Sequence, residues 1–180
     1  KKLTLTSFTE PANLKGTRVL VLARNQMYIY LPQYEKVRRI ASHVTKQGFM
    51  GTSFSQADMN STFGDVYTPA LQSESDGKAV LELTAKPDSD APYAKAILTI
   101  DTAMSHPLEL KYFNEAGENV KTETRSDYKC NEEHNVCLAG TMRMEDHTRS
   151  AWTELRRLDW SLNSGLSDDV FTTRNLQRGE

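Results

Sequence analysis

The sequence lacks an excess of charge of either sign. Its 22 lysines and arginines nearly cancel its 24 aspartates and glutamates, leaving a formal charge of −2. A nucleic-acid surface needs clustered positive charge, so no nucleic acid is expected as a partner. Aromatic residues make up only 8% and do not alternate with basic ones, which argues against a stacking platform for single strands. No run approaches the roughly 20 apolar residues of a helical membrane span.

Catalytic arrangements are also missing. Gly51-Thr52-Ser53-Phe54-Ser55 has no glycine where a nucleophile elbow needs one. The four histidines, His43, His106, His134 and His147, stand in separate segments and read as exposed residues near strand ends. There is neither a glycine-rich phosphate loop nor a His-Glu-x-x-His zinc pattern. The sequence therefore implies no enzyme, no metal and no cofactor.

Only two cysteines are present, Cys130 and Cys137. They flank the polar stretch Asn131-Glu132-Glu133-His134-Asn135-Val136 between two expected strands. A disulfide is the first reading. It would close a loop of about eight residues and contribute about 2.5 kcal/mol in the chain-entropy picture, and it would imply an oxidising compartment such as a periplasm. A metal site from Cys130, His134 and Cys137 is an alternative that lacks an evident fourth ligand, and free thiols are another.

What is present is mostly strand. At 180 residues the chain can bury a sizeable core, and its 38% hydrophobic content suits sheets wetted on one face. Strands are expected over 3–8, 16–23, 27–31, 37–41, 80–85, 95–101, 108–113, 119–128, 138–144 and 150–160, with at best an irregular strand over 65–71, where Val66, Tyr67 and Leu71 stand around Pro69. Ser73-Glu74-Ser75-Asp76-Gly77 reads as a turn. Asn25-Gln26 is another expected turn, and residues 168–176 open with acids as a helical first turn does. Strand 16–23 is apolar on both faces, whereas Val37, Arg39 and Ala41 alternate with Arg38 and Ile40. Nine or ten strands in hairpin order, with no βαβ pattern, predict a mainly β antiparallel meander forming a curved sheet or barrel. The chain starts at Lys1 inside an expected strand and reads as a mature or trimmed product, with no signal peptide visible.

One stretch breaks the pattern: Gly48-Phe49-Met50-Gly51-Thr52-Ser53-Phe54-Ser55-Gln56-Ala57-Asp58-Met59. Two glycines, a serine able to cap a helix and irregularly spaced apolar residues predict a short helix or compact loop that covers part of a sheet, begun by Ser53 or Ser55.

Four motifs in this order resemble those of the outer-membrane lipoprotein-sorting proteins, LolA/LolB-like relatives of periplasmic lipoprotein carriers. They are Tyr28-Ile29-Tyr30-Leu31-Pro32, Val37-Arg38-Arg39-Ile40, the stretch from Phe49 to Met59, and Phe171-Thr172-Thr173-Arg174-Asn175-Leu176. The chain departs at Met27, where the family often has tryptophan, at Ser53, often aspartate, and at Gln56-Ala57, often a tyrosine-glutamate pair. The resemblance implies an incomplete antiparallel β-barrel with a helical or loop lid. Residues 1–180 would be a single half-barrel domain lacking an amino-terminal helix and further strands of the full-length protein. It further implies a periplasmic carrier that binds lipid or lipoprotein acyl chains in a hydrophobic cavity for transport toward the outer membrane. An inner-membrane transporter or an outer-membrane acceptor would be its partner. The alternative is a non-enzymatic module docking an RND-type envelope transporter.

On that reading the cavity lining is expected from Leu20, Leu22, Met27, Ile29, Leu31, Ile40, Leu81, Leu83, Leu98 and Ile100, together with Leu108 and Leu110. Phe49, Met50, Phe54 and Met59 are the expected lid. Arg38 or Arg39 is the expected polar latch, donating to backbone carbonyls of the covering segment.

Overall fold

The computed structural model describes residues 3–23, 26–40, 48–60 and 63–179. Asn25, Ala41 and His43 lie outside the described residues. The chain divides into two compact units, Lys1–Lys46 with Ser161–Glu180, and Gln47–Trp160.

The first unit is a four-stranded antiparallel sheet in the order β1-β2-β3-β4, made of β1 (Thr4–Ser7), β2 (Arg18–Ala23), β3 (Gln26–Leu31) and β4 (Lys36–Ile40). Pro32 ends β3 by opening a 3₁₀ turn, Pro32–Tyr34, because proline has no N–H to give a ladder. The segment expected to be helical is a 3₁₀ turn, Asp168–Phe171, followed by a six-residue helix, Thr173–Arg178. Thr172 caps that helix by accepting from the Asn175 N–H at 3.1 Å. Val19, Leu20 and Val21 are all buried, so β2 is covered on both faces, and among the described residues Met27, Leu176 and Thr17 are the other buried residues of this unit.

The second unit is built on a seven-stranded antiparallel sheet. Its strands are β5 (Tyr67–Ser75), β6 (Lys78–Ala85), β7 (Lys95–Asp101), β8 (His106–Phe113), β9 (Asn119–Ser126), β12 (Thr141–Asp146) and β13 (Ala151–Arg156). The spatial order is β13-β12-β9-β8-β7-β6-β5. The hairpin β10 (Lys129–Asn131) and β11 (Val136–Leu138) interrupts the meander between β9 and β12. These three-residue strands are too short to show a period in the sequence. Both larger sheets are open, with free edge strands at β1 and β4 and at β5 and β13, so the protein is mainly β with open antiparallel sheets and a few short helices.

Two expectations change. The strand around Pro69 is longer than expected, nine residues, with its irregularity a bulge between Leu71 and Ser73 and not at the proline. Pro69 is tolerated because β5 is an edge strand, where a missing N–H can face outward. The turn expected over 73–77 shrinks to Asp76 and Gly77, both at positive φ, because Ser73, Glu74 and Ser75 still pair with Val80, Ala79 and Lys78.

The register of the seven-stranded sheet sorts its side chains. Leu71, Leu81, Leu98, Leu110, Glu123, Met144 and Thr153 form one cross-strand row. Leu83, Ala96, Tyr112 and Lys121 form the next on the same face. The opposite face carries Glu82 with Lys95, Glu109 with Lys111, and Glu145 with Arg143 as ion pairs. One face is therefore apolar and the other wet, as a half-solvated antiparallel sheet requires.

Candidate functional site

The apolar face of the seven-stranded sheet carries the buried core: Val66, Tyr67, Leu83, Ala96, Leu98, Leu110, Tyr112 and Met144, with Phe54 packed among them. Phe54 is 3% exposed and comes from residues 48–59, so this stretch covers the sheet. Burying a phenylalanine contributes about 1.5–3 kcal/mol, which anchors the segment.

Local sequence shapes the cover. Gly48 pairs with Ser55 in an isolated antiparallel bridge, and the Phe49 N–H donates to the Phe54 carbonyl at 2.7 Å. Between them the chain reverses through the 3₁₀ turn Phe49–Gly51, where Met50 and Gly51 adopt φ of 51° and 82°. Gly48 is required for space. A Cβ there would sit 2.3 Å from the Thr52 carbonyl oxygen and 2.9 Å from Arg149 Nη2. The five-residue helix α1 (Gln56–Asn60) is started by Ser55 through a reciprocal cap. The Asp58 N–H donates to Ser55 Oγ at 3.1 Å, and the Ser55 N–H donates to Asp58 Oδ2 at 2.7 Å.

The cover is held down by charges. Lys121 Nζ donates to Asp58 Oδ2 at 2.9 Å, with side-chain exposures of 9% and 0%, and Tyr93 donates its hydroxyl proton to Asp58 Oδ1 at 2.8 Å. Beside it, the Tyr112 hydroxyl donates to Glu123 Oε2 at 2.8 Å and Arg125 Nε to Glu123 Oε1 at 2.7 Å. Burial, reinforced by the neighbouring carboxylates Asp58 and Glu123 respectively, pushes the phenols of Tyr93 and Tyr112 well above the ordinary tyrosine range. Both stay protonated and serve as fixed donors. The far end is tied by the Ser53 N–H to Thr153 Oγ1 at 2.8 Å and by Arg149 Nη2 to the Thr52 carbonyl at 3.0 Å. Arg149 is itself oriented by Asp146, whose Oδ2 accepts from Arg149 Nε at 2.8 Å.

The expected site residues fall into separate groups. Leu81, Leu83, Leu98 and Ile100 do share one face, with Leu110, and Phe54 packs on that cluster. Phe49 and Met50 are half-buried, and Met59 is 41% exposed. Leu20, Leu22, Met27, Ile29, Leu31 and Ile40 belong to the four-stranded sheet. There Val21 faces Met27 and Met27 faces Ile40, while Leu20 faces Tyr28. The register thus puts Leu20 on the side opposite Met27, Ile29 and Ile40, and these residues do not line one surface. Arg38 and Arg39 are both exposed, and the Arg38 guanidinium lies 5.7 Å from the Tyr34 ring centroid.

The cation–carboxylate latch on the cover is formed by Lys121 and Asp58, which the sequence reading missed. Ser55-x-x-Asp58 is a capping pattern readable in the sequence, and Lys121, Glu123 and Arg125 share one parity of β9. Their inward direction is invisible without the pairing register.

Cys130 and Cys137 are directly opposed on β10 and β11, with Cα atoms 4.0 Å apart, and are joined as a disulfide. His134 is not the histidine beside them. Its Nδ1 lies 3.1 Å from Asn131 Oδ1 on the hairpin turn, while His106 approaches the sulfurs.

Surface grooves occur in each unit among the described residues. One, of about 330 Å³, lies in the first unit among Leu5, Phe8, Lys15, Arg18 and Asn175. Another, of about 270 Å³, lies along 145–152. Neither is lined by any residue expected for an acyl cavity.

A family model described as an uncharacterized protein matches residues 1–178. No curated protein matches the chain. Among solved structures, a domain named for outer membrane lipoprotein-sorting proteins from Vibrio parahaemolyticus is 29% identical, with a TM-score of 0.87, over 98% of this chain and 77% of that one. A DUF1329 family protein from Desulfovibrio piger is 26% identical, with a TM-score of 0.85, over 97% of this chain and 76% of that one. A LolA superfamily protein from Nitrosomonas europaea shares the fold at 21% identity and a TM-score of 0.75, over 96% of this chain and 77% of that one. The chain therefore belongs to the family of uncharacterized proteins whose model matches residues 1–178, and along nearly its whole length it is similar to a lipoprotein-sorting domain and a DUF1329 family protein, with a fold shared by a LolA superfamily protein.

Proposed function

We propose that the protein is a periplasmic carrier that shields the acyl chains of a lipid or lipoprotein during passage toward the outer membrane. One observation carries the reading: an apolar cluster on one sheet face, with Leu81, Leu83, Leu98, Ile100, Leu110 and Met144, is covered by a short segment that inserts a single large side chain, Phe54. Removing a methylene from water contributes about 0.8 kcal/mol, so an acyl chain of about 16 carbons carries roughly 13 kcal/mol of gross transfer energy. A carrier has to offset most of that, yet release its cargo. A cover whose opening exposes one phenylalanine and a few polar ties takes back part of the binding gain, which is the balance required.

The second reading, a module that docks an envelope transporter without binding lipid, is favoured by the density of those ties at Thr52, Ser53, Ser55 and Asp58. Native mass spectrometry with lipid extraction, on protein purified from the cell envelope, separates the two. The carrier reading expects co-purifying acyl lipid and uptake of a fluorescent fatty acid. It also expects Phe54→Glu to lose that uptake while the far-ultraviolet circular dichroism of the sheet persists. Lipid-free protein that takes up no probe overturns it in favour of docking.

A further inference from the structure

The hairpin that carries the two cysteines has a use that the carrier reading does not absorb. Among the described residues, one ring nitrogen of His106 and the sulfurs of Cys130 and Cys137 form a group of potential metal donors lying within 4.8 Å of one another. His106 is 24 positions before Cys130 in the chain, so this convergence is tertiary. The histidine begins β8, and the sulfurs come from facing positions of β10 and β11. The imidazole is held in place. It stacks on the Tyr128 ring at 4.4 Å between centroids and 18° between planes, and the Tyr128 hydroxyl donates to the Pro107 carbonyl next to it. Cys130 is exposed and Cys137 and His106 are half-buried, so both reductants and ions can reach the sulfurs.

We propose that the reduced form of this hairpin is a binding site for a soft monovalent cation, Cu(I), held by Cys130 Sγ, Cys137 Sγ and a ring nitrogen of His106. The disulfide is the resting, metal-free form. A dithiol reductant cleaves the Sγ–Sγ bond, supplying two electrons and two protons and becoming a disulfide itself. The two protein thiols then lose their protons to solvent as the ion binds. Two thiolates and one imidazole are a donor set for a soft ion of low coordination number. Zinc takes four ligands, and with three protein donors converging here among the described residues it would need water as the fourth. With metal–sulfur distances of about 2.3 Å, three donors around one ion stand about 4 Å apart. The observed spacing needs only side-chain rotation after the sulfurs separate.

The test uses the full chain, reduced with dithiothreitol, freed of reductant without air, and titrated with Cu(I) against the chromophoric chelator bicinchoninate. One Cu(I) per chain is expected, with none on the oxidised chain and none on Cys130→Ser/Cys137→Ser. His106→Ala should bind about tenfold or more weakly, the equivalent of about 1.4 kcal/mol. X-ray absorption on the wild-type protein should show two sulfurs and one nitrogen, a readout that does not depend on the variant folding. A sulfur-only shell, unchanged affinity in His106→Ala, preference for Zn(II), or a disulfide that dithiothreitol leaves intact in the folded chain would each overturn the proposal.

Discussion

Removing Asp58 should free the segment that covers the sheet. Its carboxylate is fully buried and accepts from Lys121 Nζ at 2.9 Å, from the Tyr93 hydroxyl at 2.8 Å and from the Ser55 N–H at 2.7 Å. Asp58→Ala leaves the Lys121 ammonium, 9% exposed, without its carboxylate. Breaking one side of a buried pair costs about 3–5 kcal/mol, a large share of the roughly 5–15 kcal/mol that holds a domain together. Changing Lys121 to methionine as well removes the stranded charge, so Asp58→Ala/Lys121→Met should recover much of the loss. What remains, about 1–3 kcal/mol, is the broken reciprocal cap and the lost acceptor of the Tyr93 hydroxyl. Urea unfolding of the four proteins gives the coupling energy directly, and hydrogen exchange shows where the loss falls. Protection should drop first at residues 48–59, with β7 and β8 protected to higher denaturant. A loss below about 1 kcal/mol in Asp58→Ala, or a double variant that loses the sum of the singles, would refute the latch.

Two further predictions concern the same cover. Gly48→Ala drives a Cβ to 2.3 Å from the Thr52 carbonyl oxygen and should lower stability by about 1–3 kcal/mol; thermal unfolding measures it, and an unchanged midpoint would show that the segment can sit elsewhere. At Asp146 burial pushes the carboxyl up, but hydrogen bonds from Thr148 and Arg149 outweigh it and hold the group below its ordinary 3.8. A depressed carboxylate contributes stability that is present above pH 3.8 and is lost as pH falls through the lower folded value, so the stability gap between wild type and Asp146→Asn in urea should close from pH 6 to below pH 3.

The strands were legible because their faces alternate. Leu110 and Tyr112 share a parity in the sequence and a sheet face in the fold, whereas Leu108, of the same parity, falls at a bulge between Pro107 and Glu109. The cover was legible as an exception, since its glycines and its Ser55-x-x-Asp58 cap are local signals that need no partner. The strand around Pro69 was legible as irregular, and it carries a bulge between Leu71 and Ser73, but its full length was not, because whether a strand can hold a proline depends on its lying at an edge, and edge position belongs to the whole sheet.

The sequence by itself determined a mainly β meander, with residues 48–59 as its irregular cover, because alternation, turn residues and helix caps act over a few neighbouring positions. Only the tertiary structure decided which parity faces inward. It turned Lys121, Glu123 and Arg125 toward the apolar face, where Lys121 pairs with Asp58, Arg125 pairs with Glu123 and the two tyrosines donate to those carboxylates, and it split Leu20 from Met27 across one sheet. It also set His106, and not His134, beside the cysteines. Register and strand order are fixed by pairings between residues far apart in the chain, and a pattern with a period of two reads the same from either face.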